Sequence, residues 1–299
     1  MRKPWVVGVL LAGMLLGGCG DPASAPEEPA PAAPRASTTT HQRAPASPGP
    51  RPRKAPTVLY LGDSLAMEGQ EVLGKELRRD LKAKYTGAPY SGTTLCDYLE
   101  GTAERSLVPA ADKAAALVRR LRPDVVVLQF WGNSWGYTPC MDGITYDKSP
   151  ARYFTRYDAD ARRLTEQIRA AGGDGRPRIV WVSQGPDPIT PERVRRVNAL
   201  YEKRAAASGD LVADAGKAVS PAGGRYTWTQ SLPCTVYERA HRGLCTQPGR
   251  DRTALHRDDD YLHFCLAPTT SRPKPCPVRS PGILRIARQI TKTVRQAAR

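Results

Sequence analysis

The stretch TVLYLGDSLAMEGQEVLGKELRRDL, residues 57–81, contains the pattern that decides the fold. Its first five residues are β-branched, aromatic or aliphatic, which is typical of a buried strand, and Gly62 follows them as a turn residue. Apolar side chains then recur at helical spacing, at Leu65, Val72, Leu73, Leu77 and Leu81. We therefore predict a strand, a tight turn and an amphipathic helix.

The same alternation recurs along residues 57–299. Near-continuous apolar runs predict further strands at Asp124–Phe130 and Arg178–Ser183, with a shorter one at Leu211–Ala213. Helical patterns lie at Pro109–Leu121, Tyr153–Ala171, Pro191–Ala207 and Ile283–Val294. Strands that are apolar on both faces belong to parallel sheets covered by helices on each side. We expect an α/β domain, a three-layer α/β/α sandwich with a mostly parallel sheet.

One part of this domain has no clear periodicity. Residues 220–281 contain four cysteines and many proline and glycine residues, so we predict a long loop region held by disulfides.

The N-terminus predicts export. Met1, Arg2 and Lys3 form a positive start, and the apolar run from Trp5 to Leu16 is too short to span a bilayer. The run ends in LGGC, which resembles a bacterial lipoprotein box with Cys19 as the lipidated residue. We predict a lipoprotein signal peptide at residues 1–19 and a disordered Pro/Ala-rich tether at 20–56. The protein would be anchored through acylated Cys19 on the outer face of the bacterial cell membrane, or secreted if Cys19 is an incidental cysteine. The sequence leaves open which membrane retains it.

The formal net charge of +16 is compatible with an anionic partner, but a charge of this size can also simply keep the protein soluble. The arginines are scattered and form no stripe interleaved with aromatic residues, so we expect no nucleic-acid partner. We expect a monomer.

The cysteine count agrees with export. Seven cysteines minus Cys19 leave an even six, which we predict to form three disulfides: Cys96, Cys140, Cys234, Cys245, Cys265 and Cys276. Zinc binding is the alternative for these cysteines, but the sequence contains no C-x₂-C pair, which zinc sites usually have.

Candidate catalytic groups stand where strands end, which is where open α/β sheets place their sites. Ser64 follows the first strand at the start of a helix, where a hydroxyl is exposed and a backbone N–H favours developing negative charge. Capping of the helix by Ser64 or Asp63 is the alternative. Asn133 follows a later strand and could donate to an oxyanion, although Asn is also common in turns.

A histidine and an aspartate near the C-terminus complete a possible hydrolytic site. Asp260 lies three residues before His263, so its carboxylate can hold Nδ1–H and leave Nε2 as a general base. His256 is the competing histidine. A metal site built from His256, the acidic residues 258–260 and His263 is a weaker alternative, because such acidic loops are usually solvated.

These motifs, in this order, resemble the SGNH (GDSL-type) hydrolase family. VLYLGDSLAMEG supplies the first block, Gly92 in YSGTTL the second, Gly132-Asn133 the third, and Asp260 to His263 the last. The resemblance covers residues 57–299 and implies a flavodoxin-like sheet. It also implies Ser64 as nucleophile with Asp260 and His263, and an oxyanion hole formed by the N–H groups of Ser64 and Gly92 and the Asn133 side chain. An α/β-hydrolase is the alternative fold, but Ala66 breaks its G-x-S-x-G motif.

The resemblance implies an exported serine esterase that cleaves a carboxylic ester through an acyl-enzyme. The ester could belong to a lipid, an O-acylated carbohydrate or a small molecule, and no cofactor or metal is expected. An O-acyltransferase acting on cell-envelope glycans and a non-catalytic binding lipoprotein are the alternatives.

The cysteines and aromatic residues near these motifs give two further expectations. Because Cys96 and Cys140 follow inferred strand ends at the catalytic edge, we predict that they form one disulfide, with Cys234–Cys245 and Cys265–Cys276 as the others. Several aromatic residues flank the motifs and either line a substrate pocket or belong to the core: Trp131, Trp135, Tyr137, Tyr261 and Phe264.

Overall fold

The computed structural model describes residues 54–133, 138–224, 226–268 and 274–299. Cys19 and the predicted signal peptide and tether, up to residue 53, lie outside this part of the chain. The strands are β1 (Thr57–Gly62), β2 (Lys84–Gly87), β3 (Val125–Gln129), β4 (Arg178–Val182), β5 (Leu211–Ala213), β6 (Ser231–Pro233) and β7 (Arg252–Ala254). The helices are α1 (Ser64–Leu81), α2 (Ala114–Leu121), α3 (Pro150–Gly172), α4 (Pro191–Ser208), α5 (Ala215–Ala218), α6 (Val236–Ala240) and α7 (Pro281–Ala297).

The central sheet has five parallel strands in the order β2-β1-β3-β4-β5. This is the doubly wound, flavodoxin-like strand order, and it places the carboxyl ends of β1, β2 and β3 side by side. In the register of the two central strands, Leu59 lies opposite Val126 and Gly62 opposite Gln129. The predicted parallel α/β sheet is therefore confirmed.

Helices cover both faces of the sheet, because successive residues of each strand point to opposite sides. In β1, Leu59 and Leu61 belong to the apolar cluster that includes buried residues of α2, α3 and α4. Val58 and Tyr60 belong to the opposite cluster, with buried residues of α1, α5 and α7. The three-layer arrangement expected from the sequence is confirmed.

Strand β2 and helix α2 differ from the sequence prediction. The edge strand β2 was not predicted, because its four residues KYTG form no apolar run. The predicted helix at Pro109–Leu121 begins only at Ala114, after a separate 3₁₀ turn. Lys113 interrupts it with an extended backbone, and its buried ammonium donates to the carbonyl of Asp97 at 2.6 Å and to Ser106 Oγ at 2.5 Å.

The region 220–281 is more ordered than the predicted long loop. Strands β6 and β7 pair in an antiparallel two-stranded sheet, and α6 begins with a capping box between Thr235 and Glu238. These elements are too short to produce a periodic sequence pattern, so the prediction of a long loop region held by disulfides missed them, although both of its disulfides form.

The six cysteines pair as expected from their positions: Cys96 with Cys140, Cys234 with Cys245, and Cys265 with Cys276. The first disulfide joins the loops after β2 and β3, and the third closes an 11-residue separation just after His263. Among the residues that the structure describes, no helix is both long and apolar enough to cross a bilayer.

The close approach of β1 and β3 predicts an intolerant position at Gly62. A Cβ at Gly62 would lie 2.0 Å from the carbonyl oxygen of Gln129, an atom fixed in the neighbouring strand. We expect Gly62→Ala to lower the free energy of unfolding by at least about 3 kcal/mol, the upper range of overpacking. Gly223→Ala is the matched control, because nothing lies within 4 Å of its Cβ position. Urea denaturation of both variants measures the difference, and equal stabilities would contradict the argument.

Candidate active site

Ser64 is the first residue of α1 and stands at the carboxyl end of β1. Asp63, not Ser64, caps the helix, because its Oδ1 accepts the N–H of Leu65 at 3.1 Å. The Ser64 hydroxyl instead lies 3.0 Å from Nε2 of His263. The capping alternative therefore applies to the aspartate and leaves the serine side chain at the site.

Asp260 holds the other nitrogen of the His263 ring. Its Oδ2 lies 3.1 Å from Nδ1, and its Oδ1 accepts the backbone N–H groups of Leu262 at 3.2 Å and His263 at 3.0 Å. Because a carboxylate only accepts, Nδ1 carries the proton and Nε2 is the acceptor for the Ser64 hydroxyl. The structure thus brings Ser64, His263 and Asp260 into one hydrogen-bonded row.

Charges around the imidazole favour its protonated form. Burial alone would lower the pKa of His263, but the hydrogen bond that its Nδ1–H donates to Asp260 and the nearby charges of Glu68, Asp260 and Asp63 raise it above its ordinary value of 6.5. For Asp260, burial acts to raise the pKa, and the hydrogen bonds and charge of His263 outweigh it, so the pKa lies below the usual range. Asp260 is therefore ionised wherever the histidine titrates.

His256 lies behind this row and does not compete for Ser64. Its buried ring donates Nδ1–H to the carbonyl oxygen of His263 at 3.0 Å and packs on Phe264 with ring centroids 4.6 Å apart. Burial lowers the pKa of His256, which keeps the ring neutral. This ring supports the main chain of the residue predicted as base.

The acidic side chains of the alternative metal site have separate partners. Asp259 forms an ion pair with Arg257 at 2.6 Å, and Asp258 accepts from Gln230 at 3.2 Å. With Asp260 on His263, these carboxylates do not converge on one point.

The loop of the second block is held against the end of β1. The carbonyl of Gly62 accepts the N–H of Tyr90 at 2.9 Å and the hydroxyl of Tyr98 at 2.8 Å. Gly92 lies in the following turn with φ of 77°, a left-handed backbone that favours glycine. Next to it, the carbonyl of Thr93 accepts the Asn133 side-chain amide at 2.8 Å. The predicted oxyanion residues thus lie on loops that contact one another.

The Gly132-Asn133 corner is held by side chains of α3 and α4 that the sequence did not predict as part of the site. Gly132 has φ of 81°, and its carbonyl accepts the hydroxyl of Tyr153 at 2.6 Å. Arg193 donates to the carbonyls of Trp131 at 2.5 Å and Gly132 at 3.2 Å, and its guanidinium lies 3.7 Å from the Trp131 ring centroid. This arginine is buried with its ion-pair partner Asp187, whose Oδ2 is 3.2 Å away.

A single sequence offers little signal for this support. Arg193 lies on α4, distant in the chain from the corner that it holds, and a lone arginine in a helix is normally a solvated residue. Only its position on the buried face of α4, beside Val194 and Val197, distinguishes it from its exposed neighbours.

The flanking aromatic residues divide between core and surface. Trp131 and Phe264 are buried, so they are core residues, whereas Tyr261 is 43% exposed two positions before His263. Trp228 donates its indole N–H to the carbonyl of Tyr261 at 2.9 Å. Trp135 and Tyr137, which the sequence analysis also named, lie outside the described residues.

Several solved structures are similar to this chain in fold. TesA matches at 18% identity with a TM-score of 0.38, covering 65% of this chain and 93% of TesA. The psychrotrophic esterase EstA from Pseudoalteromonas sp. matches at 13% identity and 0.42, covering 80% and 97%. The Clostridium thermocellum family 3 carbohydrate esterase matches at 11% identity and 0.44, covering 82% and 98%. No protein-family model and no curated protein matches the chain. The assignment of chemistry therefore rests on the geometry of the site.

The buried pair beneath the Asn133 corner generates a stability prediction. Arg193→Met leaves the Asp187 carboxylate, 1% exposed, without its cation, and breaking a buried pair in this way typically costs about 3–5 kcal/mol. Arg195→Met on the same helix is the matched control, because that side chain is 56% exposed, and its expected change is below about 0.5 kcal/mol. Chemical denaturation measures the free energy of unfolding of both variants. Similar decreases would show that the buried Arg193–Asp187 pair stabilises the fold no more than an exposed arginine does.

Proposed function

We propose that this chain is a serine esterase of the SGNH (GDSL) type. The observation that carries the proposal is the row formed by Ser64, His263 and Asp260, with contacts of 3.0 and 3.1 Å. A serine hydroxyl, a histidine and an orienting carboxylate in this order are the groups that nucleophilic acyl transfer requires. The side chain of His263 is 31% exposed, so a substrate can reach the row from solvent.

In the first step, Ser64 Oγ attacks the carbonyl carbon of an ester while Nε2 of His263 takes its proton. Asp260 keeps the ring in the correct tautomer and stabilises the imidazolium that forms. The carbonyl oxygen becomes an oxyanion, for which we propose the N–H groups of Ser64 and Gly92 and the Asn133 amide as donors. Collapse of this intermediate releases the alcohol, which leaves with the proton from His263.

In the second step, water attacks the acyl-Ser64 ester and gives its proton to His263. The same oxyanion donors serve again, and collapse releases the carboxylic acid and restores the Ser64 hydroxyl. All proton transfers pass through one imidazole, so every step depends on the distance between Ser64 and His263.

The substrate that we propose is an ester of the cell envelope or its surroundings, either a lipid, an O-acylated carbohydrate or a small ester. We also propose export, which the N-terminal sequence supports, with Cys19 as the lipid attachment site and residues 20–56 as tether. An enzyme anchored in this way acts outside the cell membrane.

Labelling with a serine-directed phosphonate tests the nucleophile. We expect the wild-type protein to gain one phosphonyl group on Ser64 and to lose hydrolysis of a short-chain aryl ester in parallel. Ser64→Ala should neither react nor hydrolyse the ester, whereas Ser208→Ala, at an exposed serine of α4, should behave as wild type. Intact-mass spectrometry and peptide mapping give the result. A wild-type protein that ignores both the ester and the phosphonate would contradict the proposal and favour a binding lipoprotein.

Asn133→Ala tests the oxyanion site. Removal of one oxyanion donor elsewhere costs about 2.7–4 kcal/mol of transition-state stabilisation, so we expect kcat to fall roughly 10²- to 10³-fold with little change in KM. The variant also loses the hydrogen bond to Thr93, which should cost only about 1 kcal/mol of stability. Steady-state kinetics and thermal unfolding separate the two effects. A variant with nearly normal kcat would make Asn133 a turn residue only.

A further inference from the structure

Glu68 is a buried carboxylate that the proposed reaction does not use. It lies four residues after Ser64 in α1, which places both side chains on neighbouring turns of one helix face. The residue is only 6% exposed, although glutamate is rarely buried without a specific partner. Its partners therefore indicate what it does.

Both oxygens of Glu68 accept backbone N–H groups from the segment that follows His263. Oε1 accepts from Phe264 at 3.0 Å, and Oε2 accepts from Cys265 at 3.1 Å. The backbone carbonyl of Glu68 in turn accepts the N–H of Cys276 at 2.9 Å. Glu68 thus contacts both ends of the loop closed by the Cys265–Cys276 disulfide.

These contacts join the two parts of the chain that must meet at the site. Ser64 begins α1, and His263 immediately precedes the two amides that Glu68 binds. The distance between Oγ and Nε2 is therefore set partly through one side chain, since moving the segment would break two hydrogen bonds to a charged acceptor.

The Glu68 carboxylate also acts on the histidine through its charge. Among the residues that the structure describes, the titratable groups that act on the His263 ring or contact its main chain are Asp260 on its own turn, Asp63 at the start of α1, Glu68 within α1, and His256 behind it. After burial, which lowers the pKa of His263, the hydrogen bond from its Nδ1–H to Asp260 is the largest influence, and the charge of Glu68 comes next; both raise that pKa. Burial raises the pKa of Glu68 itself to about 7, against the opposing charge of His263.

We propose that Glu68 is a positioning residue of this site, which ties the histidine segment to the serine helix and supplies a second negative charge beside the catalytic imidazole. The inference rests on the proposed function for its kinetic part only, because the effect on the imidazole exists whether or not an ester is turned over.

Two substitutions separate position from charge. Glu68→Gln keeps the size of the side chain but removes the charge and leaves one oxygen for two N–H donors. Glu68→Asp keeps the charge but is one methylene too short to hold both amides in place. Glu71→Gln, on an exposed position of the same helix, is the matched control for removing a carboxylate.

The expected pH effect has a definite sign. His263 must be neutral to take the Ser64 proton, so kcat/KM falls as pH drops through its pKa, which lies above 6.5 in the wild type. Removing the Glu68 charge lowers that pKa, so the acid limb of Glu68→Gln should move to lower pH. Glu68→Asp should keep the limb near its wild-type position.

Positioning should appear in kcat at pH 8 and above, where the histidine is largely neutral. We expect both Glu68 variants to lose roughly ten- to a hundredfold in kcat, since a displacement of about 1 Å in a catalytic group can cost about 10²-fold. Glu71→Gln should change neither kcat nor the position of the acid limb.

NMR titration of the His263 ring in the full chain measures the charge effect without any turnover, with the signal assigned by its loss in His263→Ala. A lower His263 pKa in Glu68→Gln, but not in Glu71→Gln, supports the proposal even if no ester is hydrolysed. An unchanged pKa overturns the contribution of charge, and wild-type kcat in Glu68→Asp overturns that of position. If Glu68→Gln fails to fold, Glu68→Asp decides alone: a fall in kcat at pH 8 supports the positioning role, and wild-type kcat overturns the proposal.

Discussion

The buried carboxylate of Asp63 is the interaction on which the site depends. One oxygen caps α1 at Leu65, and the other accepts the N–H of Trp131 at 2.5 Å, so one side chain joins the ends of β1 and β3. The pKa of Asp63 is raised to about 6, because burial outweighs the opposing effects of these two backbone hydrogen bonds and of the charges of His263 and Arg193. A carboxylate this deep costs stability unless every lone pair is engaged. Its hydrogen bonds therefore fix Ser64 and the Asn133 corner relative to each other.

The Gly132–Asn133 corner is held by hydrogen bonds from two helices. Gly132 takes a positive φ, and the carbonyls around it accept donors from α3 and α4. A Cβ at Gly132 would lie 2.7 Å from the Tyr153 hydroxyl, so the same glycine permits both the backbone angle and the close approach of α3. The Cys96–Cys140 disulfide then joins the loop that contains this corner to the loop after β2.

Much of the fold follows from the sequence because buried parallel strands leave continuous apolar runs. Four of the five central strands and the long helices α1, α3, α4 and α7 were located to within a few residues, and the three cysteine pairs form as predicted. Strand β2 and the short elements between 231 and 254 were missed, because three or four residues do not establish a period. The break at Lys113 depends on a buried ammonium contact, which no local pattern reveals.

The site residues that lie close together in the sequence could be predicted, whereas those brought to the site by tertiary packing could not. Asp260 and His263 lie three residues apart and Ser64 follows a clear strand, and the family resemblance implied that the three side chains meet. Arg193 and Asp187 reach the corner only through tertiary packing. Glu68 did leave a signal, because it falls on the apolar stripe of α1 between Leu65 and Leu73, where a charged residue needs a buried partner.

The electrostatics of the site differ in sign from the rest of the chain. The whole sequence carries +16, yet Asp63, Glu68 and Asp260 surround one imidazole with potential negative charge. In the proposed reaction these carboxylates favour the imidazolium that forms when Ser64 attacks, and their charges raise the pKa of the base. The proposed reaction needs His263 neutral and Glu68 ionised, and burial raises the pKa of Glu68 to about 7, towards the range in which the histidine titrates. When a proton enters from solvent, either group can take it, so the two titrate as a coupled pair. The higher pKa makes His263 a stronger base, but it also means that the ring is protonated, and the proposed esterase activity falls, as the pH drops below neutrality.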